Sequence, residues 1–337
     1  MTHQTISPTR ILELGLAFRA SKALLSAVEL NVFTLLADGP LDLNALSERV
    51  GLNERGARDF LDALVAIGML TRHGDGRYAN SAETDLYLDR NKPSYIGGAL
   101  ESAITRSYAV WASLTMALRT GKPQSDVSVA SNFTALYADE TLRDAFVNTM
   151  TARTRPVAQA LAGRFSWESY STLIDIGGAQ GCLPVEIARV HPHITGGAFD
   201  LPPLRPLFDR YVGKHGLADR LRFYSGDFFN DQLPAADVLV IGRVLHNWDF
   251  ATKMMLLKKA YDALPLAGAL IVYERLIDDE RQVNAGGLLS SLQMLLASSG
   301  GFDFTGADCT NWMHETGFHD VRVEPLTRDE SMVVGIK

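Results

Sequence analysis

The chain has 337 residues, 47% hydrophobic and 21% charged, with a formal net charge of −7 at pH 7. That length suits about two domains with self-sufficient cores. The balance excludes disorder, collagen and coiled coil and argues against non-specific attraction to nucleic acid or anionic lipid. Cys182 and Cys309 cannot build a disulfide framework and point to a reducing compartment. No run approaches the ~18 consecutive apolar residues of a membrane span, and no signal peptide follows Met1. The expectation is a cytoplasmic protein with no membrane contact.

The elements follow in order. Leu43 to Val50 reads as a helix ended by Gly51, and Asn53 can cap a second helix reaching about Ile67, with Phe60, Leu61, Leu64 and Ile67 at helical spacing. Leu70 to Arg72, Gly74-Asp75-Gly76 and Tyr78 read as a small hairpin. Helix, turn, helix, hairpin is the winged-helix order. Residues 41 to 80 hold five basic and six acidic groups, and the would-be recognition helix carries Glu54, Asp59 and Asp62 against Arg55 and Arg58. Phosphate binding needs the opposite balance. The wing is therefore read as structural or dimer-forming. Leu14, Phe18, Leu25 and Leu36 suggest more apolar surface than one small domain can cover, hence a homodimer.

Residues 85 to 165 read as mostly helical, with Tyr108, Trp111, Leu114 and Leu118 on one face, a break at Gly121-Lys122-Pro123, and a further helix over Leu142 to Leu161. The pattern then changes to strand, loop, helix. Strands are expected at Thr172 to Ile176, Gly197 to Phe199, Leu221 to Tyr224, Val238 to Ile241 and Ala269 to Tyr273, with helices at Val185 to Arg189 and Lys253 to Ala263. Such alternation implies a parallel, doubly wound α/β sheet with ligands at the carboxyl ends of its strands. His191 and His193 are read as solvated loop residues.

The first of these strands runs into Asp175-Ile176-Gly177-Gly178-Ala179-Gln180-Gly181, which lacks the G-x-G-x-x-G spacing of dinucleotide sites. Asp200, followed by Leu201, ends the second strand, where a carboxylate can accept both ribose hydroxyls. Gly226-Asp227-Phe228 follows the third, placing an acceptor for an adenine amino group beside a ring that can cover the base. Each acid alone is more readily a loop or capping residue. In this order they describe a nucleoside site without a phosphate-binding lysine, the pattern of S-adenosylmethionine. No metal-ligand spacing occurs, so no metal is expected.

Residues 10 to 335 resemble the class I S-adenosylmethionine-dependent O-methyltransferases of the plant caffeate and bacterial hydroxyindole type. The most specific piece is Arg243-Val244-Leu245-His246-Asn247-Trp248-Asp249, similar to an R-x-L-H-D-W-x string, followed by acids at Glu274 and Asp303. The resemblance implies a Rossmann-like methyltransferase domain, 101–337, with a helical substrate-lining segment 101–165, behind a winged-helix dimerisation domain, 1–100. It implies His246 as general base flanked by Glu274 and Asp303. Gly177, Gly178, Asp200, Leu201, Gly226, Asp227, Phe228 and Arg243 would hold the cofactor, leaving S-adenosylhomocysteine after transfer. Phe146, Met150, Asn247, Trp248, Met294 and Ser298 would face a small aromatic acceptor. Departures are Ala179 for a third loop glycine, Asn247 for aspartate, Phe304 for arginine in a K/E-E-R-T-like string, and Gly242 where the plant enzymes carry lysine. The alternatives are a relative methylating carbon or nitrogen, or running a non-methylating reaction, and a winged-helix regulator.

Overall fold

The computed structural model describes residues 6–125 and 129–337. Contacts divide the chain into Met1–Ala109 and Val110–Lys337.

The first unit is helical around a hairpin of β1 (Leu70–Arg72) and β2 (Tyr78–Asn80), paired antiparallel. The capping residues behave as their chemistry requires. Asp42 accepts from the Ala45 amide to start helix Leu43–Val50, and Asn53 accepts from Arg55 to start helix Glu54–Ala66. Leu46, Leu61, Leu64, Leu70 and Tyr78 share one buried core with Val28, Phe33 and Leu36. On the second of these helices, Asp62 is taken up locally, accepting from the Tyr78 hydroxyl at 2.7 Å and from Arg72 at 2.8 Å. The apolar surplus expected near the N-terminus divides in two. Leu25 and Leu36 are buried within the unit, whereas Leu14 and Phe18 remain 78% and 55% exposed. Helix Thr9–Leu16 buries none of its residues.

In the second unit the helical region is more broken than its periodicity suggests. Leu114–Thr120 is a separate helix that begins after Trp111, so the expected face from Trp111 to Leu118 is interrupted. The Trp111 indole donates to Gln293 at 2.6 Å, a contact between segments 182 residues apart that no local pattern encodes. Helix Glu140–Arg164 is longer than expected and runs through Pro156.

The seven-stranded sheet comprises β3 (Thr172–Ile176), β4 (Thr195–Asp200), β5 (Leu221–Ser225), β6 (Val238–Gly242), β7 (Ala269–Glu274), β8 (His319–Pro325) and β9 (Ser331–Ile336), in the order β5-β4-β3-β6-β7-β9-β8. Strands β3 to β7 pair in parallel; β9 is antiparallel to β7 and β8. The order reverses between β3 and β6, and a crevice opens beyond their carboxyl ends. Two buried clusters, one around Leu239, Leu257 and Leu270 and one around Leu161, Leu173 and Ile271, make this sheet the rigid centre of the unit. His191 and His193 are not simply solvated: their Nε2 atoms lie 2.8 and 3.1 Å from the carbonyls of Ala162 and Trp167. Among the described residues, no helix is long and apolar enough to cross a membrane.

Candidate active site

A cleft of about 1150 Å³, including space open to solvent, lies at the strand ends. Its lining includes Gly177, Gly178, Asp200, Leu201, Gly226, Asp227, Phe228 and Arg243, together with Phe146, Met150, Asn247 and Trp248. Gly177 turns the chain with φ of 75°, and a Cβ there would stand 2.8 Å from Val244. Two residues on, Ala179 adopts φ of 48°, a left-handed conformation that glycine would take at less cost. That turn aims the Ala179 amide at Asp200, which accepts from it at 2.9 Å and from Leu201 at 2.7 Å.

Burial dominates the electrostatics of the cleft floor. It lifts Asp200 to about 6, against the two backbone amides that favour its charge. Asp175, also buried and repelled by Asp200, is raised well above the ordinary carboxylate range. Asp227 is engaged in its own loop, accepting from the Phe229 amide at 3.0 Å and the Asn230 side chain at 2.7 Å. Phe228 and Phe229 meet the Trp248 ring edge-on, with centroids 5.9 and 4.8 Å away, and form an aromatic wall.

Arg243 joins two elements. It sits at φ of 54° just beyond β6; its Nε donates to Glu330 at 2.6 Å and its Nη2 to the Arg153 carbonyl at 3.1 Å. Its Nη1 is buried without a partner. The ring of Tyr273 fills the space that a side chain at Gly242 would need, with a Cβ coming within 1.9 Å of the ring.

Beside the cleft stands a second group. His246 Nδ1 lies 2.8 Å from Glu274 Oε2 and 3.7 Å from Asp303 Oδ1. Both carboxylates therefore approach the same ring nitrogen rather than opposite edges of the ring, and Nε2 is left for another partner. The backbone brings them together. Glu274 ends β7, and after it the Ile277 amide donates to Phe304 while Ile277 and Thr305 form a parallel bridge, which draws Asp303 alongside. Glu274 and Asp303 are buried, and His246 is 18% exposed. Burial opposes charge on His246, but the field of Glu274, its direct contact and Asp303 outweigh it, so the imidazole is raised above 6.5. Burial raises Asp303 to about 6, with His246 pulling the other way. The donor atoms of these three residues lie within 4.8 Å of one another, close enough to share a metal ion.

The expected site residues thus form two adjoining groups. The cofactor set, with Phe146, Met150, Asn247 and Trp248, lines the cleft; His246, Glu274 and Asp303 meet beside it. Met294 and Ser298 do not line that cleft. Ser298 is buried, donating to the Met294 carbonyl and accepting from Gly301. Residues that line it without having been singled out include Phe133, Tyr137, Thr151, Thr154 and Tyr273. Asp175 carried a readable signal, an acid next to the last residue of a strand that runs into a glycine loop. Phe133, Tyr137, Thr151 and Thr154 lie on helix faces with no motif around them, and Tyr273 lies within β7.

Residues 111–319 match the model of the O-methyltransferase domain, and residues 12–90 that of the O-methyltransferase dimerisation domain. Among curated relatives, the tetracenomycin polyketide synthesis 8-O-methyl transferase TcmO of Streptomyces glaucescens is 44% identical over 330 residues, covering 98% of this chain and 97% of its own. The N,N-dimethyltransferase OxyT of Streptomyces rimosus is 40% identical over 273 residues, covering 80% and 78%. Among solved structures, human N-acetylserotonin methyltransferase in complex with SAM superposes with a TM-score of 0.89 at 28% identity, over 100% of this chain and 99% of that one.

Proposed function

The chain belongs to the O-methyltransferase family that joins a dimerisation domain to a methyltransferase domain. From that membership we propose that it methylates a hydroxyl of an aromatic or enolic small molecule in specialised metabolism, with His246 as general base. The methyl donor is S-adenosylmethionine and the protein is a homodimer. In this reading residues 1–100 form the dimerisation domain and 101–337 the catalytic domain, with 101–165 lining the acceptor.

The cleft suits the donor on this chain's own chemistry. Asp200 stands at the end of β4 with lone pairs left for a ribose. Phe228 and Trp248 offer ring faces and edges to a base, and the orphaned Nη1 of Arg243 offers a donor to a carboxylate. When bound, S-adenosylmethionine supplies an electrophilic methyl group on a cationic sulfur. What is left for the protein is to place the acceptor oxygen in line with it and to remove the proton.

The observation that carries the proposal is the 2.8 Å contact between His246 Nδ1 and buried Glu274. With Nδ1 as the protonated nitrogen, paired electrostatically with that carboxylate, Nε2 presents a lone pair to an acceptor hydroxyl. Glu274 Oε1 also accepts from the His246 amide at 3.3 Å, which fixes ring and backbone against the same side chain. A phenol of pKa ~10 is a poor nucleophile at pH 7 until it loses its proton. The imidazolium then formed is stabilised by Glu274 and Asp303, as an orienting acid does in a catalytic triad. The name of OxyT favours a second reading, methylation of an amine, for which deprotonation matters less. TcmO, which matches more of the chain at higher identity, supports oxygen.

His246→Gln tests this. Methyl transfer to a phenol of ordinary acidity is expected to fall about 10²–10⁴-fold while donor affinity holds. An acceptor already ionised at pH 7, such as a nitrophenol, is expected to lose much less. In the wild type, the rate is expected to rise with pH through an apparent pKa above 6.5, since only the neutral imidazole accepts a proton. Equal rates for every acceptor in the variant would refute base catalysis.

A further inference from the structure

Lys253 lies in the first turns of helix Phe250–Ala263, just after the capping residue Asp249, and is 0% exposed. It is the one fully buried lysine among the described residues. Its ammonium donates to the Trp248 carbonyl at 2.5 Å and lies 3.2 Å from the centroid of the Phe302 ring and 5.7 Å from that of Phe304. No carboxylate is in ion-pair contact with it among the described residues. Phe302 and Phe304 are the two neighbours of Asp303, so the lysine is clamped against the segment that carries that acid.

A buried ammonium with one carbonyl and two ring faces is costly unless its charge is used. If its task were only to fill space, methionine would serve as well, and the same helix supplies two at Met254 and Met255. The charge has an evident object. In its base-competent state His246 is neutral, so Glu274 and Asp303 leave two negative charges in a buried site. Arg243, the cation that acts on His246 from the other side of the charge balance, is already tied to Glu330, whereas Lys253 acts on Asp303.

We propose that Lys253 is a positioning residue of the proton-transfer site: its buried ammonium, cradled by Trp248, Phe302 and Phe304, offsets Glu274 and Asp303 and so limits how tightly His246 holds a proton. The acids that act on the ammonium are Glu274, Asp303 and Asp249, and burial nonetheless pulls Lys253 down to about 8. The lysine touches no reacting atom in this account. It acts through the charge balance around the imidazole, and the proposal rests on the reading of His246 as base.

The test reads the imidazole directly. The His246 ring resonance, identified by its absence in His246→Gln, is titrated by NMR in the resting dimer for wild type, Lys253→Met and Lys253→Arg. In Lys253→Met the titration is expected to move upward by about 0.5–1 unit, because a nearby positive charge is gone. Lys253→Arg keeps the charge and is expected to stay near wild type. At pH 7 kcat for a phenol is expected to fall about three- to tenfold in Lys253→Met, with KM for S-adenosylmethionine unchanged and the loss shrinking as pH rises. If Lys253→Met does not fold, Phe302→Leu, which removes one face of the cradle, is read by the same titration and is expected to move it in the same direction. A folded Lys253→Met or Phe302→Leu with an unmoved His246 titration overturns the proposal. An upward shift with no change in rate shows that the lysine charge acts on the imidazole but refutes His246 as the base, and the positioning role falls with it.

Discussion

The two units differ in where the groups that ask for a partner gather. Among the described residues, the N-terminal unit buries Thr84 and Asp89 as its polar side chains and leaves Ile11, Leu12, Leu14 and Phe18 in solvent. The C-terminal unit buries Asp175, Glu186, Lys253, Glu274, Asp303 and Glu330. An apolar side chain in water asks for another surface, and a charge in a core asks for a counter-charge, a proton or a ligand. One region is therefore unfinished on its outside and built for assembly; the other is unfinished on its inside and built for chemistry.

The widest break in that contrast comes from the outside. Leu14→Asp with Phe18→Asp is expected to weaken the homodimer about 10²–10⁴-fold, from ~1.5–3 kcal/mol for each apolar side chain that loses its cover. Neither residue belongs to the core around Leu46, Leu61 and Tyr78, so the monomer is expected to keep its helical circular dichroism. Light scattering would then report about 36.9 kDa. A double variant that stays dimeric at low micromolar concentration would show that these side chains do not form the interface.

The next prediction works from the inside, at Asp200. Asp200→Asn keeps the shape and removes a charge-assisted acceptor, so S-adenosylmethionine is expected to bind about 1–3 kcal/mol more weakly. Stability is expected to move the other way. The folded value of Asp200, about 6, lies above the ordinary 3.8, so the folded state prefers the protonated form. Ionising it imposes a penalty that is absent below pH ~4 and grows as pH rises through about 6, amounting to roughly 1–3 kcal/mol. Ligand-free wild type is expected to lose melting temperature over that window more steeply than Asp200→Asn. Calorimetry at pH 4.5 and pH 7 with both proteins decides it. Parallel slopes would mean that the acid is no more stressed than a surface carboxylate.

How far this was legible in the sequence follows the same division. Strand-end acids, the glycine loop and the Arg243 to Asp249 string are short-range patterns; Asp200, Asp227, the loop glycines Gly177 and Gly178, and Arg243, Asn247 and Trp248 line one cleft, and His246 stands beside it. Two C-terminal strands were not legible. Strand β8 alternates Asp320, Arg322 and Glu324 with little burial, because as an edge strand it faces solvent and carries no apolar period. Met294 and Ser298 are given by resemblance as facing the acceptor; neither lines the cleft at the strand ends, and Ser298 is used in the turn toward Gly301. Lys253 was hidden for the opposite reason. Its position is read within a helix, and only the fold of a segment 50 residues away, around Phe302 and Phe304, turns it into a buried cation.

The smallest expected effect bears on backbone strain within the chemical region. Ala179 holds φ of 48° so that its amide can reach Asp200 at 2.9 Å. Holding a left-handed alanine costs ~1–2 kcal/mol. Replacing it by glycine relieves that cost and gives back ~0.4–1 kcal/mol through the freer unfolded chain. The relief is the larger of the two, so Ala179→Gly is expected to raise the ligand-free melting temperature by about 1–3 °C. The amide-to-carboxylate contact involves only backbone atoms of residue 179, so donor affinity is expected to hold within about twofold, inside the ~0.5 kcal/mol typical of substitutions that touch no special feature. A lower melting temperature would mean that the alanine methyl group, packed against the cluster around Phe208 and Val185, contributes more than the strain costs. In that case the loop is held by its packing, and the left-handed turn is a consequence of the contact rather than a burden on it.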